Sequence, residues 1–378
     1  MTSFYTDVKQ YGNRMMVRAI ENGKRVKYEI DYSPYLFVKS RTGKGKYRSV
    51  YGDVAEKMQF SSIKEAKDFS QKYSGVSGFE FYGMTQFVYP FINDTWPGEI
   101  AYDRDHINVM SLDIETMSDD GFPDIKTANK ALTVITISDG KKYVVIGIGD
   151  YKVHRPDVTY YKCVDEKELC ACFLEEYRKM DPDILTGWNI EFFDIPYLIN
   201  RIKVVMGEAW VKMLSPWNIV REGTQKQNGV ETQTFDIAGV AVMDYLTIYK
   251  KWSFVQRESY KLDFIANVEL GIGKLDYSEY GSLHGLYEGN FQKYVEYNIL
   301  DTDIINQLDE KLKLIDLMLA LSYDGKLNYT DSLTSVRMWD VIIHNYLMKS
   351  DIVIPQFEKN TEDYSFVGGY VKDPILGR

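Results

Sequence analysis

Cysteine is scarce in this chain: Cys163, Cys170 and Cys172 are the only three, an odd number that cannot form a fully paired set. Cys170-x-Cys172 lies inside the helix-like stretch DEKELCACFLEEYRKM with no second Cys or His pair nearby. A zinc site wants four ligands, so buried, reduced thiols are the better reading. Long apolar runs are also missing, since nothing approaches the roughly 18 residues that a membrane span needs. The opening MTSFYTDVKQYG lacks both the basic flank and the apolar core of a secretory signal. We therefore expect a cytosolic protein, in the host cytoplasm if it is viral, with no membrane partner. An overall basic balance is lacking too. The net charge of −10 speaks against a nucleic-acid partner, because phosphate binding usually leaves a basic footprint. That objection weakens if some acids are metal ligands and basic stretches are local, as in VKSRTGKGKYR over 38–48. Internal repeats and low-complexity tracts are absent.

What is present is ample. A chain of 378 residues has room for two or three domains with sizeable cores. The 30 Tyr and 18 Phe supply core filler first, and stacking surface for unpaired bases second. Residues 1–103 alternate strand-like runs (MMVRAI, VKYEI, PYLFV, RSVYG) with one helix-like segment, SSIKEAKDFSQKYSG, the pattern of a small α+β domain. From Asn108 the runs lengthen: INVMSLDIE, then ALTVITISDGKKYVVIGIG, a hairpin turning at Asp139-Gly140. A helix over 165–180, a buried strand in DILTGWN and a helix over 194–206 follow. A meander that passes into alternating strands and helices predicts a mixed sheet with helices on its faces. A hairpin tipped by Gln227-Asn228-Gly229-Val230, polar on both faces, should project from the body. One long helix fits 291–321, and another fits TSVRMWDVIIHNYLMKS.

Three acidic sites stand out. Asp113-Ile114-Glu115 ends the strand INVMSLDIE. Side chains two apart in a strand share a face, so both carboxylates point one way; alone, the pair is a weak signal and reads far more readily as a solvated strand end. Asn189-Ile190-Glu191-Phe192-Phe193-Asp194 follows an apolar strand and opens a helix, where Asp194 also suits helix capping. Tyr297-Asn298-Ile299-Leu300-Asp301 lies within the long helix, and residues four apart on a helix are neighbours. Asp303 continues an apparent D-T-D, but a helix points it away from Asp301, and we expect it to be a solvated helix residue.

Taken together, acid-x-acid, N-x-x-x-F-D and Y-x-x-x-D in this order resemble the DEDDy exonucleases. LTGWNIEFFDIPY, VMDYLTIYKKWSF, SYKLDFIA and GIGKLDY resemble the exonuclease regions of the family B DNA polymerases of T-even-type bacteriophages, and the resemblance spans the whole chain. It implies an α/β (α+β overall) fold: a ribonuclease H-like mixed-sheet exonuclease domain over 104–315, preceded by an additional small α+β domain over 1–103. Residues 316–355 would return to that first domain, and 356–378 would lead toward a palm domain. The resemblance makes Asp113, Glu115, Asp194 and Asp301 ligands of two divalent cations, Mg²⁺ or Mn²⁺, and Tyr297 the residue that orients the attacking water. Lys274 would assist, Asn189 and Phe193 would lie beside the terminal nucleotide, and Phe122 would touch the unpaired end.

The chemistry asks for such a set. Clustered carboxylates repel one another, and two cations about 3.5–4 Å apart relieve the repulsion while clamping both reacting oxygens. Oxygen-only ligands favour Mg²⁺ or Mn²⁺, and a phenol of pKa about 10 orients better than it deprotonates. The implied partners are single-stranded DNA and primer 3′ ends, the palm, fingers and thumb of a polymerase, a sliding clamp and a single-strand-binding protein. Phe366-Val367-Gly368-Gly369-Tyr370 is similar to the Y-x-G-G linker before the palm, with Phe in place of the usual Tyr, yet the palm motif D-x-x-S-L-Y-P-S does not follow. The expectation is a fragment, or one subunit of a split polymerase, that does not extend a primer alone. The alternatives are a non-catalytic nucleic-acid-binding replisome module and an RNA-trimming exonuclease of the ribonuclease D kind.

Overall fold

The structure, a computed structural model, describes residues 3–117, 121–227, 229–273 and 275–356. Asn22 and Gly23, both at positive φ, make the tight turn that an Asn-Gly pair favours. They join β2 (Arg14–Glu21) to β3 (Lys24–Asp31), and β1 (Ser3–Tyr11) pairs on the other edge of β2. A second sheet uses β4 (Tyr35–Lys39), β5 (Tyr47–Ser49) and β6 (Val54–Gln59), with α1 (Ile63–Tyr73) and β7 (Phe81–Tyr82) after them. Helix α1 starts where Ser62 accepts from the Glu65 N–H while the Glu65 carboxylate accepts from the Ser61 N–H, which satisfies two donors at the helix start. Sequence patterning did not anticipate α2 (Val88–Thr95), because Tyr89, Pro90, Phe91 and Ile92 are all buried and leave no amphipathic period. The basic stretch 38–48 is partly neutralised within the fold, since Lys39 pairs with Asp53 and Lys46 with Asp351.

The second half is built on a six-stranded mixed sheet in the order β11-β10-β9-β8-β12-β15. Its strands are β8 (Val109–Thr116), β9 (Leu132–Ser138), β10 (Tyr143–Gly147), β11 (Val158–Lys162), β12 (Ile184–Gly187) and β15 (Ala241–Asp244). The first three form an antiparallel meander, whereas β11, β12 and β15 each join their neighbour in parallel. Helices α3 (Glu166–Met180) and α4 (Asp194–Met206) cover one face, where Met110, Leu112 and Ile114 pack with Phe173, Leu174 and Leu198. Short α5 (Glu208–Val211) precedes the hairpin β13 (Val220–Gln227) and β14 (Val230–Ile237). The cysteines are free, and burial pushes the Cys163 and Cys170 thiols up to about 12, as inert core thiols behave.

After β15 come α6 (Tyr245–Trp252), α7 (Leu262–Leu270), α8 (Leu283–Gly289), α9 (Phe291–Leu312), α10 (Leu314–Gly325), α11 (Ser335–Met348) and the short β16 (Ile352–Val353). The expected single helix over 291–321 is two helices. Lys313 takes the left-handed conformation at φ 54, and Asp309 Oδ1 accepts from the Ile315 N–H beyond the break. The apolar period runs through this break unaltered, which is why periodicity missed it.

The hairpin also departs from expectation, because its base does not project. Phe235 and Ile237 are buried in the core under the sheet, and Gln233 accepts from Asn200 of α4. Its tip residue Asn228 lies outside the described residues, as do Phe366 to Tyr370 and the rest of 357–378.

The last helices lie against the first strands. The Tyr5 hydroxyl donates to Leu327 O at 2.6 Å, the Tyr323 hydroxyl to Tyr5 O at 2.8 Å, and β16 pairs in parallel with β5. Arg18 and Arg25 of the first sheet reach Asp181 and Asp183 beside β12. Arg18 is buried there and also donates to Pro182 O and Gly239 O, the added partners that a buried charge requires.

Candidate active site at the end of a central strand

Strand β8 places the first two acids. Its alternation sends Leu112 and Ile114 into the core beneath the sheet and turns Ser111, Asp113 and Glu115 to the opposite face, across which α9 lies. Ser111 donates to Asn306 at 2.9 Å, and Asn298 donates to Asp113 Oδ2 at 2.5 Å. Asn298 is itself held by Thr136 of β9. A β-bulge follows Glu115, where the register with β9 skips Thr133. The Thr133 hydroxyl donates to Glu115 O, and bulges of this kind re-aim a side chain at a strand end.

The third acid arrives because β12 is short. It pairs with β8 only as far as Ser111 and ends at Gly187, so the edge of β8 beyond it is open to another acceptor. Asp194, the first residue of α4, takes that place: its Oδ1 accepts from the Ile114 N–H at 3.3 Å. Phe193, at the N-cap position, makes no side-chain cap, and the Asp194 carboxylate accepts from its own N–H as well as from Ile114. Gly187 allows the close turn, since a Cβ there would lie 2.5 Å from Leu112 O and would also strike Ile190. Burial pushes the Asp194 carboxyl up to about 7, and repulsion from Asp244 and Asp301 adds to the shift.

Helix α9 carries the fourth acid. Tyr297 and Asp301 lie one turn apart and both are buried, with the Tyr297 ring edge-on to Tyr277 at 5.4 Å. One turn earlier the buried Tyr294 hydroxyl meets Thr133 at 2.7 Å. Burial above all, with the nearby Glu115 and Asp113 carboxylates, pushes this phenol well above its ordinary range.

The four carboxylates thus come from one strand and two helices at the C-terminal end of β8. Among the described residues no three His, Cys, Asp or Glu side chains stand close enough together to constitute a metal-holding group. The donor set nevertheless fits a hard divalent cation: it is oxygen only, and the buried Asp194, held up to about 7, sits against further acids.

Residues 92–265 match the family described as DNA polymerase family B, exonuclease domain. The chain is 33% identical over its whole length to the DNA-directed DNA polymerase of Escherichia phage RB69, covering 45% of that protein. It is 32% identical over 99% of its length to the DNA-directed DNA polymerase of Enterobacteria phage T4, covering 44%. Over 72% of its length it is 25% identical to the DNA polymerase delta catalytic subunit of Schizosaccharomyces pombe. This chain carries a family B DNA polymerase exonuclease domain. It spans less than half the length of the phage relatives.

Around the acids of this exonuclease domain, the remaining candidates fall in different places. Asn189 adopts φ 66, a conformation asparagine tolerates better than most side chains, and its carbonyl accepts from the Phe192 and Phe193 N–H groups. The turn that delivers Asp194 thus favours asparagine at this position. Phe193 stacks on Tyr197 with centroids 5.8 Å apart. Phe122 is 97% exposed on the excursion between β8 and β9. Lys274 lies outside the described residues. Asp303 is not the solvated residue expected from the helix: it accepts from the Tyr143 hydroxyl at 2.5 Å and from Gln307, and it pairs with Arg155.

Sequence reasoning missed Asn298, Tyr294 and Asp244. Asp244, fully buried at the end of β15, caps α6 through the Thr247 N–H and accepts from the Glu191 N–H at 3.2 Å. The signal for it was an acid closing an apolar strand in AVMD, the same signature as Asp113. Glu191 in turn accepts from Gln225 of the hairpin at 2.7 Å, and burial, then Asp244, pushes its carboxyl up. Glu191 also lines a groove of about 760 Å³ whose walls include Asp7, Lys9, Arg221 and Arg337.

Proposed function

We propose that this chain is the proofreading 3′→5′ exonuclease portion of a replicative family B DNA polymerase, hydrolysing the 3′-terminal phosphodiester of single-stranded or mispaired DNA. The observation that carries the reading is the placement of Asp113 and Glu115 on one face of β8, with Asp194 bonded to the Ile114 N–H between them and α9 laying Tyr297, Asn298 and Asp301 across that face. Residues 1–103 and 316–355 belong to one α+β domain in this reading, 104–315 to the exonuclease domain, and 356–378 to a linker toward the polymerase part.

Asp113, Glu115, Asp194 and Asp301 would hold Mg²⁺ or Mn²⁺, and those ions supply electrostatic stabilisation of the reacting oxygens when bound. Asn298 holds the Asp113 carboxylate in one rotamer, and the Ile114 N–H does the same for Asp194. Tyr297 presents a hydroxyl that orients water without serving as its base, and Lys274 assists. Asn189 shapes the approach to the terminal nucleotide, with the Phe193 ring beside it and Phe122 reaching the unpaired end. The partners are single-stranded DNA, primer 3′ ends, the palm, fingers and thumb of the polymerase, a sliding clamp and a single-strand-binding protein, in the cytoplasm of the host cell. No helix among the described residues is long and apolar enough to cross a membrane.

The test is digestion by the purified chain in Mg²⁺. Single-stranded DNA should be shortened from its 3′ end to mononucleotides much faster than matched duplex, because unpairing costs energy that a free end does not spend. RNA trimmed faster than DNA, or equal rates on single strand and matched duplex, would count against the reading.

A separate expectation concerns the hairpin, which touches the site through Gln225 and Glu191. Deleting residues 224–232 removes the outer part and leaves Gln233, Phe235 and Ile237 in the core. Single-strand digestion should stay within about twofold of wild type, while attack on duplex ends slows by about tenfold, an energy near 1.4 kcal/mol. Unchanged rates on duplex ends would remove the hairpin from strand separation.

A further inference from the structure

Two buried hydroxyls stand in line behind Glu115. The Thr133 hydroxyl donates to Glu115 O at 3.0 Å, and the Tyr294 hydroxyl of α9 meets Thr133 Oγ1 at 2.7 Å. A carbonyl oxygen only accepts, and a hydroxyl has a single proton to give. Thr133 gives its proton to Glu115 O, so Tyr294 is the donor to Thr133. The line therefore runs one way, from Tyr294 through Thr133 to the Glu115 backbone. The phenol suits that part, because burial first, then the Glu115 carboxylate, pushes it well above its ordinary range and it keeps its proton. Thr133, Tyr294 and Glu115 are all buried, and a polar line shut away from water specifies one arrangement, since any break in it leaves a group without a partner.

Thr133 is the extra residue of the bulge, since Glu115 pairs with Val134 and Thr116 with Leu132. A bulge bends the ladder and re-aims the side chains beside it, so the direction of the Glu115 carboxylate depends on what holds that kink. The Thr133 hydroxyl ties the kink to Glu115, and Tyr294 holds Thr133. Packing fixes Tyr294 in turn: its ring lies edge-on to Tyr287 with centroids 5.3 Å apart, in one buried cluster with Val134 and Val145 of the sheet. Tyr294 also stands four residues before Asn298, on the same face of α9, and Asn298 holds the Asp113 side chain. The helix that carries Tyr297 and Asp301 is thereby tied to both acids of β8, to Asp113 through its carboxylate and to Glu115 through its backbone. We propose that Tyr294 and Thr133 are positioning residues that set the aim of the Glu115 carboxylate toward a divalent cation and hold it in register with α9. This rests on the exonuclease reading above and deepens it. Groups that orient a metal ligand from behind are worth about 10–100-fold in metal affinity or activity.

The experiment titrates Mg²⁺ alone into the full chain by calorimetry, and measures kcat and KM for a single-stranded oligonucleotide beside a metal-free melt of each variant. Tyr294→Phe removes the first hydroxyl of the line, and Thr133→Val replaces the second by a methyl group of similar size. Each should weaken Mg²⁺ binding about tenfold and lower kcat about tenfold or more, with KM within about twofold of wild type. Thr133→Ser keeps the hydroxyl and should hold both quantities within about threefold of wild type. Because the two hydroxyls act in series, Tyr294→Phe combined with Thr133→Val should lose no more than Thr133→Val alone. A purely structural role would lower the melting temperature and leave the Mg²⁺ affinity and kcat of the folded protein as they are. That result from either single variant overturns the proposal. So do losses that multiply in the double variant, or a serine as damaging as valine. A wild-type chain that binds no Mg²⁺ overturns the exonuclease reading and this proposal together, whereas the proposal falls alone when wild type and variants bind Mg²⁺ and digest DNA equally well.

Discussion

Replacing Asp113 and Glu115 together by alanine is expected to lower mononucleotide release from single-stranded DNA by at least about a thousandfold. The fold should survive. The two side chains project from the face of β8 turned toward α9, and the core face of that strand, with Met110, Leu112 and Ile114, is untouched. Asn298 loses its Asp113 acceptor but keeps its bond from Thr136, and that loss leaves one buried amide donor unpaired, at about 1–3 kcal/mol. Removal of two like-charged groups from one face partly offsets it. Tyr297→Phe takes away a hydroxyl and no charge, and should slow release by only about tenfold. Rates measured on a labelled oligonucleotide in Mg²⁺, beside a thermal melt of each variant, decide the matter. A folded double variant that digests normally would falsify the assignment of these acids to the chemistry.

How much of this could be read from the sequence depended on how local each cause is. The shared face of Asp113 and Glu115 follows from the two-residue period of a strand, and the proximity of Tyr297 to Asp301 from the four-residue neighbourhood of a helix. Those placements need nothing beyond the segment itself. The Asp194 contact was not legible, because it depends on β12 stopping at Gly187 and leaving the Ile114 N–H to another acceptor. Nor was the partner of Asp303, since Tyr143 comes from a strand far away in the chain. The break at Lys313 was hidden for the opposite reason: it is local, but neither glycine nor proline announces it, and the apolar spacing continues on both sides. The hairpin looked as though it projected because its polar residues were read as solvated, whereas Gln233 satisfies Asn200 inside the protein. Buried polar pairs of that sort carry no periodic signature, and α9 shows another in Asn298.

Asp194→Asn should change the pH dependence of stability as well as the activity. Burial first, then Asp244 and Asp301, hold the Asp194 carboxyl up at about 7 in the folded chain, against about 3.9 for an unfolded aspartate. Between those values the folded state retains a proton that the unfolded state has released, so stability is fully present below about pH 4 and is lost as pH rises through 7. Three pKa units correspond to at most about 4 kcal/mol. Asparagine keeps the oxygen that accepts from Ile114 and cannot ionise, so the variant lacks this slope. Asp7, which burial pushes up to about 6, contributes a similar slope to both proteins and cancels in the difference. In EDTA, melting temperatures recorded from pH 4.5 to 8 should draw apart progressively up to about pH 7 and hold a constant separation above it, with the asparagine variant the more stable. Adding Mg²⁺ at pH 8 should raise the wild-type melting temperature and leave the variant nearly unmoved, since a cation that binds only the folded state stabilises it in proportion to its affinity. Nuclease activity of the variant should fall by about a thousandfold. Parallel melting curves across the pH range would show that Asp194 is ionised in the folded chain, and an equal response of both proteins to Mg²⁺ would remove it from the ligand set.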